Sequence, residues 1–108
     1  MKIFKQEKNH LFCGHWNGSP VEIGVGRLKA VPPDEALHYH DYHEYYIVLG
    51  GHAKLNTEGK EYKLEANTVI MVEPSEKHEV TWVDPAQGCE WIIVKQNSIP
   101  DSKILAAQ

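Results

Sequence analysis

His38-Tyr39-His40-Asp41-Tyr42-His43-Glu44 runs directly into Tyr45-Tyr46-Ile47-Val48-Leu49 and then Gly50-Gly51. The second half of this stretch is aromatic and β-branched, the composition of a strand, and a glycine pair closes it. In an extended chain, residues two apart face the same way and each residue advances roughly 3.3 Å. His38 and His40 therefore aim at one point from neighbouring rungs. Imidazole nitrogens hold a transition metal at roughly 2.0–2.1 Å, a reach that lets such a pair bracket one ion. If the chain turns over Asp41-Tyr42-His43, Glu44 opens the next strand beside them, while His43 falls on the opposite face as a surface or supporting residue.

The same strand grammar continues on both sides. Upstream, Val21-Glu22-Ile23-Gly24-Val25-Gly26 alternates, with Val21, Ile23 and Val25 on one face and two glycines on the other. Those glycines leave room for a ring or for a neighbouring backbone. Pro32-Pro33-Asp34 breaks the chain before the histidines. Residues 1–20 read as one or two short strands with a turn at Asn17-Gly18-Ser19-Pro20, and His10 and His15 as surface or turn residues. Downstream, Glu58-Gly59 marks a hairpin and Glu65-Ala66-Asn67 a turn. Thr68-Val69-Ile70-Met71-Val72 is continuously apolar, as in a strand buried on both faces. His78-Glu79-Val80-Thr81-Trp82-Val83 alternates, with His78, Val80 and Trp82 on one face, and Cys89–Val94 is a last strong strand. Lys103–Gln108 suggests a helical turn or a frayed end. At least seven short strands with turn signals every 8–12 residues argue an all-β sandwich or barrel.

Composition narrows the partners. With 108 residues, 42 % hydrophobic and 24 % charged, the chain suits one domain with one core. A net charge of −4, a pI near 5.9 and no basic run argue against nucleic acid. No window nears the roughly 20 apolar residues of a membrane span, and the N-terminus has no signal-peptide core, so a cytoplasmic location is expected. Cys13 and Cys89 form no C-x-x-C pair and are expected to be free and buried. Seven histidines are many for this length, and three lie within six residues.

At these residues the chain resembles the cupin superfamily. The end of that family's first motif, His-x-His, three residues, Glu, six residues, Gly, matches His38, His40, Glu44 and Gly51 without a spacing error, although the motif's opening glycine falls on Pro32. Its second motif supplies one histidine near the start of a later strand, and His78 takes that place. Counting back from His78, that motif's glycines fall on Asn67 and Ser75 and its proline on Glu73, while its closing Asn falls on Trp82. The resemblance covers about residues 24–95. It implies a double-stranded β-helix, or jelly-roll, barrel as a single domain over 1–108. The barrel would occupy about 21–96, with N-terminal strands over 1–20 and a short tail over 97–108. The resemblance also implies a divalent transition metal (Fe, Mn, Zn, Ni, Co or Cu) on His38, His40, Glu44 and His78.

A His-x-His pair alone is as compatible with a hydrogen-bonded network as with a metal; Glu44, Gly51 and His78 in family register favour the metal. Three imidazoles and one carboxylate leave one or two coordination positions open, unlike a closed structural zinc site. With a divalent ion the donor set carries a charge near +1, which suits an anionic oxygen ligand. Tyr46, Val48, Val80 and Trp82 share parity with the ligands and are expected to wall a pocket, with the Tyr46 hydroxyl orienting a substrate. Core packing is the competing role for Tyr46, Trp82 and Trp91. The leading functional reading is a cupin that binds a small anionic or aromatic molecule at the metal. If it is an enzyme, oxygenase-type chemistry with Fe(II) leads, ahead of non-redox isomerisation or decarboxylation. A binding or sensing module without turnover is the third reading. Exposed sheet edges in so small a protein predict a homodimer.

Overall fold

The computed structural model describes residues 1–6, 10–99 and 104–106. Nine strands run through these residues: β1 Leu11–Cys13, β2 Glu22–Leu28, β3 His38–Tyr39, β4 Glu44–Thr57, β5 Lys60–Glu65, β6 Thr68–Val72, β7 His78–Val83, β8 Cys89–Lys95 and β9 Ile104–Leu105. One 3₁₀ turn, His15–Asn17, joins β1 to β2. All pairings are antiparallel, in the order β1-β2-β8-β4-β7-β3-β9, with β5 and β6 also on β4. This curled antiparallel arrangement is the double-stranded β-helix, with β4 as its spine. The first half of β4 lies between β8 and β6 and the second half between β7 and β5.

Gly50-Gly51 does not end the strand, as the sequence suggested, but lets β4 pass from one half of the barrel to the other. Leu49 is an extra residue between the Val48–Trp91 and Gly50–Glu90 pairs, a bulge that bends the strand. Gly51 has φ +75°, and a Cβ there would overlap the Gly88 carbonyl of the β7–β8 loop. That carbonyl accepts the His52 N–H at 2.9 Å, so backbone replaces side chain at the corner.

The two glycines of β2 do both things expected of them. Gly26 faces the Trp91 indole, and Gly24 lies against the backbone of His10 and the side chain of Leu11. The core gathers Tyr46, Val48, Ala53, Leu55, Leu64, Val72, Val80, Val83, Cys89 and Trp91 between the two halves. Cys13 and Cys89 are free and buried.

Three further expectations fail for identifiable reasons. β6 is not buried on both faces: it pairs only with β4, and Val69 and Met71 are exposed on its outer face. In β7, Ala53 and Lys54 oppose Val83 and Trp82, but Leu55 already opposes Val80. Thr81 is thus an extra residue, and the bulge inverts parity beyond it. Trp82 therefore points outward, 40 % exposed, with Lys54 Nζ 5.3 Å from its ring centre, while Val83 turns inward. Finally, Ile104–Leu105 is extended and pairs with β3 rather than forming a helical turn. Residues 103, 107 and 108 of that expectation lie outside the described residues.

Candidate metal centre

Three strands and the turn after β3 deliver the four candidate ligands. His38 lies in β3 directly opposite His78 in β7, and the two ring centres are 4.3 Å apart. His40 follows one residue after β3, and Glu44 is the first residue of β4. The Ser75 N–H donates to the His40 carbonyl at 2.8 Å, and the Val80 N–H to Glu35 Oε2 at 2.8 Å. The segment carrying His78 is thereby tied to the segment carrying the other three. All four side chains are buried, and one donor atom from each lies within 4.8 Å of every other.

These separations suit one cation. Donors about 2.1 Å from a common centre lie roughly 3.0 Å apart at right angles and about 4.2 Å apart across it. His78 Nε2 and Glu44 Oε1 are 3.0 Å apart, and His40 Nε2 and Glu44 Oε2 are 3.6 Å apart. The surrounding groups also preset the donors. His38 Nδ1 donates to the Ala36 carbonyl at 2.7 Å and His78 Nδ1 to the Glu76 carbonyl at 2.9 Å. A carbonyl can only accept, so the proton stays on Nδ1 and the Nε2 lone pair faces the cluster. His40 Nδ1 meets the Tyr42 hydroxyl at 3.3 Å, and the Tyr42 ring stacks on the imidazole.

Charge reinforces this donor set. Burial alone would push the Glu44 carboxyl up, but the His78 hydrogen bond, then the charges of His40, His78 and Lys95, hold it below its ordinary range. Burial pulls His78 down, and the hydrogen bond to Glu44 followed by that to Glu76 more than reverses it. Tyr46 is pushed well up by burial and then by the charges of Glu44 and Glu35, so its hydroxyl keeps its proton as a donor.

The cluster opens into a cavity of about 390 Å³. Of the four residues expected to wall a pocket, Tyr46 and Val80 line this cavity, Val48 packs in the core and Trp82 stands outside the barrel. His43 points away, with Nδ1 3.0 Å from Gln96 Oε1. His15 is exposed and hydrogen-bonded to Ser98, and His10 is an exposed turn residue, as read, that also borders the cavity. Trp91, Ile93 and Lys95 are lining residues that sequence reasoning missed. Their common parity on β8 was readable, but not that β8 pairs between β2 and β4. Lys95 is held charged: burial pulls it down, but Glu44 and then Glu22 raise it further.

The family model for the cupin domain matches residues 27–95, and the chain belongs to the cupin family. No curated protein matches. Among solved structures, an RmlC-like cupin family protein from Methanocaldococcus jannaschii with a double-stranded β-helix fold is similar, with TM-score 0.68 and 14 % identity. That match covers 91 % of this chain and 92 % of the other. A cupin protein from Bacteroides fragilis matches with TM-score 0.67 and 15 % identity over 100 % of this chain and 92 % of its own. Iron(II) HppE in complex with substrate matches with TM-score 0.67 and 18 % identity, over 87 % of this chain and 56 % of that one. At these identities the likeness is one of fold. The four buried residues could hold a metal, as cupins do. No helix among the described residues is long and apolar enough to cross a membrane.

Proposed function

We propose that this chain holds one divalent transition metal on His38, His40, Glu44 and His78 and binds a small anionic molecule beside it. The observation that carries this reading is the convergence of four buried donor atoms, three from strands and one from the turn after β3, within 4.8 Å. Bound there, the ion supplies Lewis acidity and, if iron, the means to activate dioxygen. The chain's own residues set the rest. The Nδ1 hydrogen bonds of His38 and His78 orient the lone pairs, Tyr46 offers a hydroxyl donor inside the cavity, and Val80, Ile93 and Trp91 exclude water.

Oxygenase-type chemistry is the enzymatic reading we favour, because the donor set leaves room at the ion for more than one small ligand. Anaerobic loading with Fe(II), then addition of a candidate aromatic or dicarbonyl acid and air, should consume dioxygen in proportion to bound iron. Turnover with Zn(II) or Mn(II) that ignores dioxygen would instead assign a non-redox reaction.

We further propose a cytoplasmic homodimer formed by the outer face of the β6-β4-β8-β2 half. Two rungs there, Met71–Tyr45–Val94–Ile23 and Val69–Ile47–Ile92, carry no charged side chain. Exposed Leu49, Val69 and Met71 extend this apolar face. A stable dimer needs roughly 800 Å² from each partner. Sedimentation should show a dimer at micromolar concentration and a monomer for Val69→Glu; a monomeric wild type rejects it.

A further inference from the structure

The cavity contains a cation for which metal binding gives no role. Lys95 ends β8, and the register makes it the middle of a three-strand rung: Glu22 on β2, Lys95 on β8, Glu44 on β4. Directly opposed residues project on the same face of a sheet, so the lysine shares a face with a candidate metal ligand. It lines the same cavity as His38, His40 and Glu44, and its side chain is only 21 % exposed. Its ammonium is 3.2 Å from Glu22 Oε2, the one carboxylate within ion-pair distance among the described residues. An ammonium has three donors, so one ion pair leaves donors to spare. Along β8 the cavity side then runs Lys95, Ile93, Trp91: a cation, an aliphatic wall and an indole.

The charges define what this arrangement suits. A divalent ion with Glu44 carries +1 and the Lys95–Glu22 pair adds nothing, while Asp34 and Glu35 also line the cavity and oppose further negative charge. A ligand with a single carboxylate therefore suits the site better than a dianion. We propose that Lys95 is a ligand-anchoring residue, and that the cavity takes a small monocarboxylic acid. One carboxylate oxygen would go to the metal and the other would accept from the Lys95 ammonium. The apolar or aromatic tail would lie along Ile93, Tyr46 and Trp91. This inference rests on the metal reading above and adds the ligand class and the residue that selects it.

The test uses Co(II)-loaded protein, with the visible spectrum of the ion as readout and three probes: benzoate, its uncharged counterpart benzamide, and imidazole. Wild type should bind benzoate much more tightly than benzamide. Lys95→Met should weaken benzoate about tenfold or more, the scale of a lost charged hydrogen bond. It should leave Co(II) stoichiometry and imidazole binding unchanged, and Lys95→Arg should recover part of the loss. Equal benzoate affinity in Lys95→Met and wild type, or equal affinity of wild type for benzoate and benzamide, overturns the inference while leaving the metal reading intact. A wild type that takes up no Co(II) ends both.

Discussion

The two segments that supply the candidate metal donors are built to different standards of regularity. Residues 38–51 follow the cupin spacing residue for residue, and the one glycine demanded by that spacing, Gly51, occupies a left-handed corner that a side chain would block. Residues 67–83 carry only His78 in register. Where the family pattern has glycines, this chain has Asn67 and Ser75, and both keep the left-handed backbone, at φ 64° and 68°. The geometry of the second segment is thus retained without the residues that make it easy. Gly51 sits under another strand's backbone and has no substitute. Asn tolerates the left-handed region, and Ser reaches it at a cost the surrounding hydrogen bonds offset. Side-chain freedom matters most where backbone packs on backbone.

The sharpest way to break this comparison is to remove one donor from each segment. His40→Ala and His78→Ala should each abolish stoichiometric metal while leaving the β-sheet signature in circular dichroism, because each takes one imidazole out of a four-donor set. His43→Ala should retain full metal, since its ring is engaged with Gln96. Metal analysis after loading and desalting decides it. Equal retention by all three variants would refute the donor assignment in both segments.

The next largest contrast is between two tryptophans. Trp91 is 3 % exposed, wedged against Gly26 and Tyr46. Trp82 stands outside with only Lys54 over its ring. Trp91→Ala should cost about 3–5 kcal/mol and Trp82→Ala less than about 1 kcal/mol in denaturant unfolding. Similar losses from the two would mean that the β7 bulge is misplaced.

That pair also shows how far sequence reading carried. The clustering of His38, His40, Glu44 and His78, the all-β class and the Glu58-Gly59 hairpin were legible because each depends on local spacing or on a φ that only certain residues adopt. Trp82 was misread because a bulge adds a residue without any mark in the sequence: Thr81 looks like an ordinary member of an alternating strand. Lys95 was invisible for another reason. Its meaning lies in the rung it shares with Glu22 and Glu44, and strand order is a property of the whole chain. The same holds for β6, whose apolar run reads as buried until its single partner is known.

A smaller effect should appear in the protonation of the site. His78 is held above its ordinary 6.5 and Glu44 below 4.5, so their charged pair persists to higher pH than an ordinary histidine would allow. The raised histidine stabilises the metal-free fold below its unfolded pKa, and that contribution fades as pH rises through the folded value. Glu44 works in the opposite sense: its contribution is present above its unfolded pKa and fades only in stronger acid. A metal needs the neutral imidazole, so binding must expel the proton. Calorimetry in buffers of different ionisation enthalpy should register up to one proton released per ion near pH 7, declining as pH rises. Heats independent of buffer from pH 6.5 to 8 would contradict the ion pair.

The smallest expected effect tests the opening contrast most directly. Ser75 donates its N–H to the His40 carbonyl, a bond that glycine keeps, and its side chain is exposed. Restoring the glycine relieves a left-handed cost of about 1 kcal/mol and adds back about 0.5 kcal/mol of unfolded-chain entropy. Ser75→Gly should therefore stabilise by about 0.5 kcal/mol, a rise of roughly 2–4 °C in Tm for a domain of this size. Asn67→Gly should gain less, because asparagine already accepts that conformation. If Ser75→Gly lowers Tm, the serine side chain contributes something beyond tolerance of its backbone. The second segment would then be a substitute for the glycine pattern and not a looser copy of it.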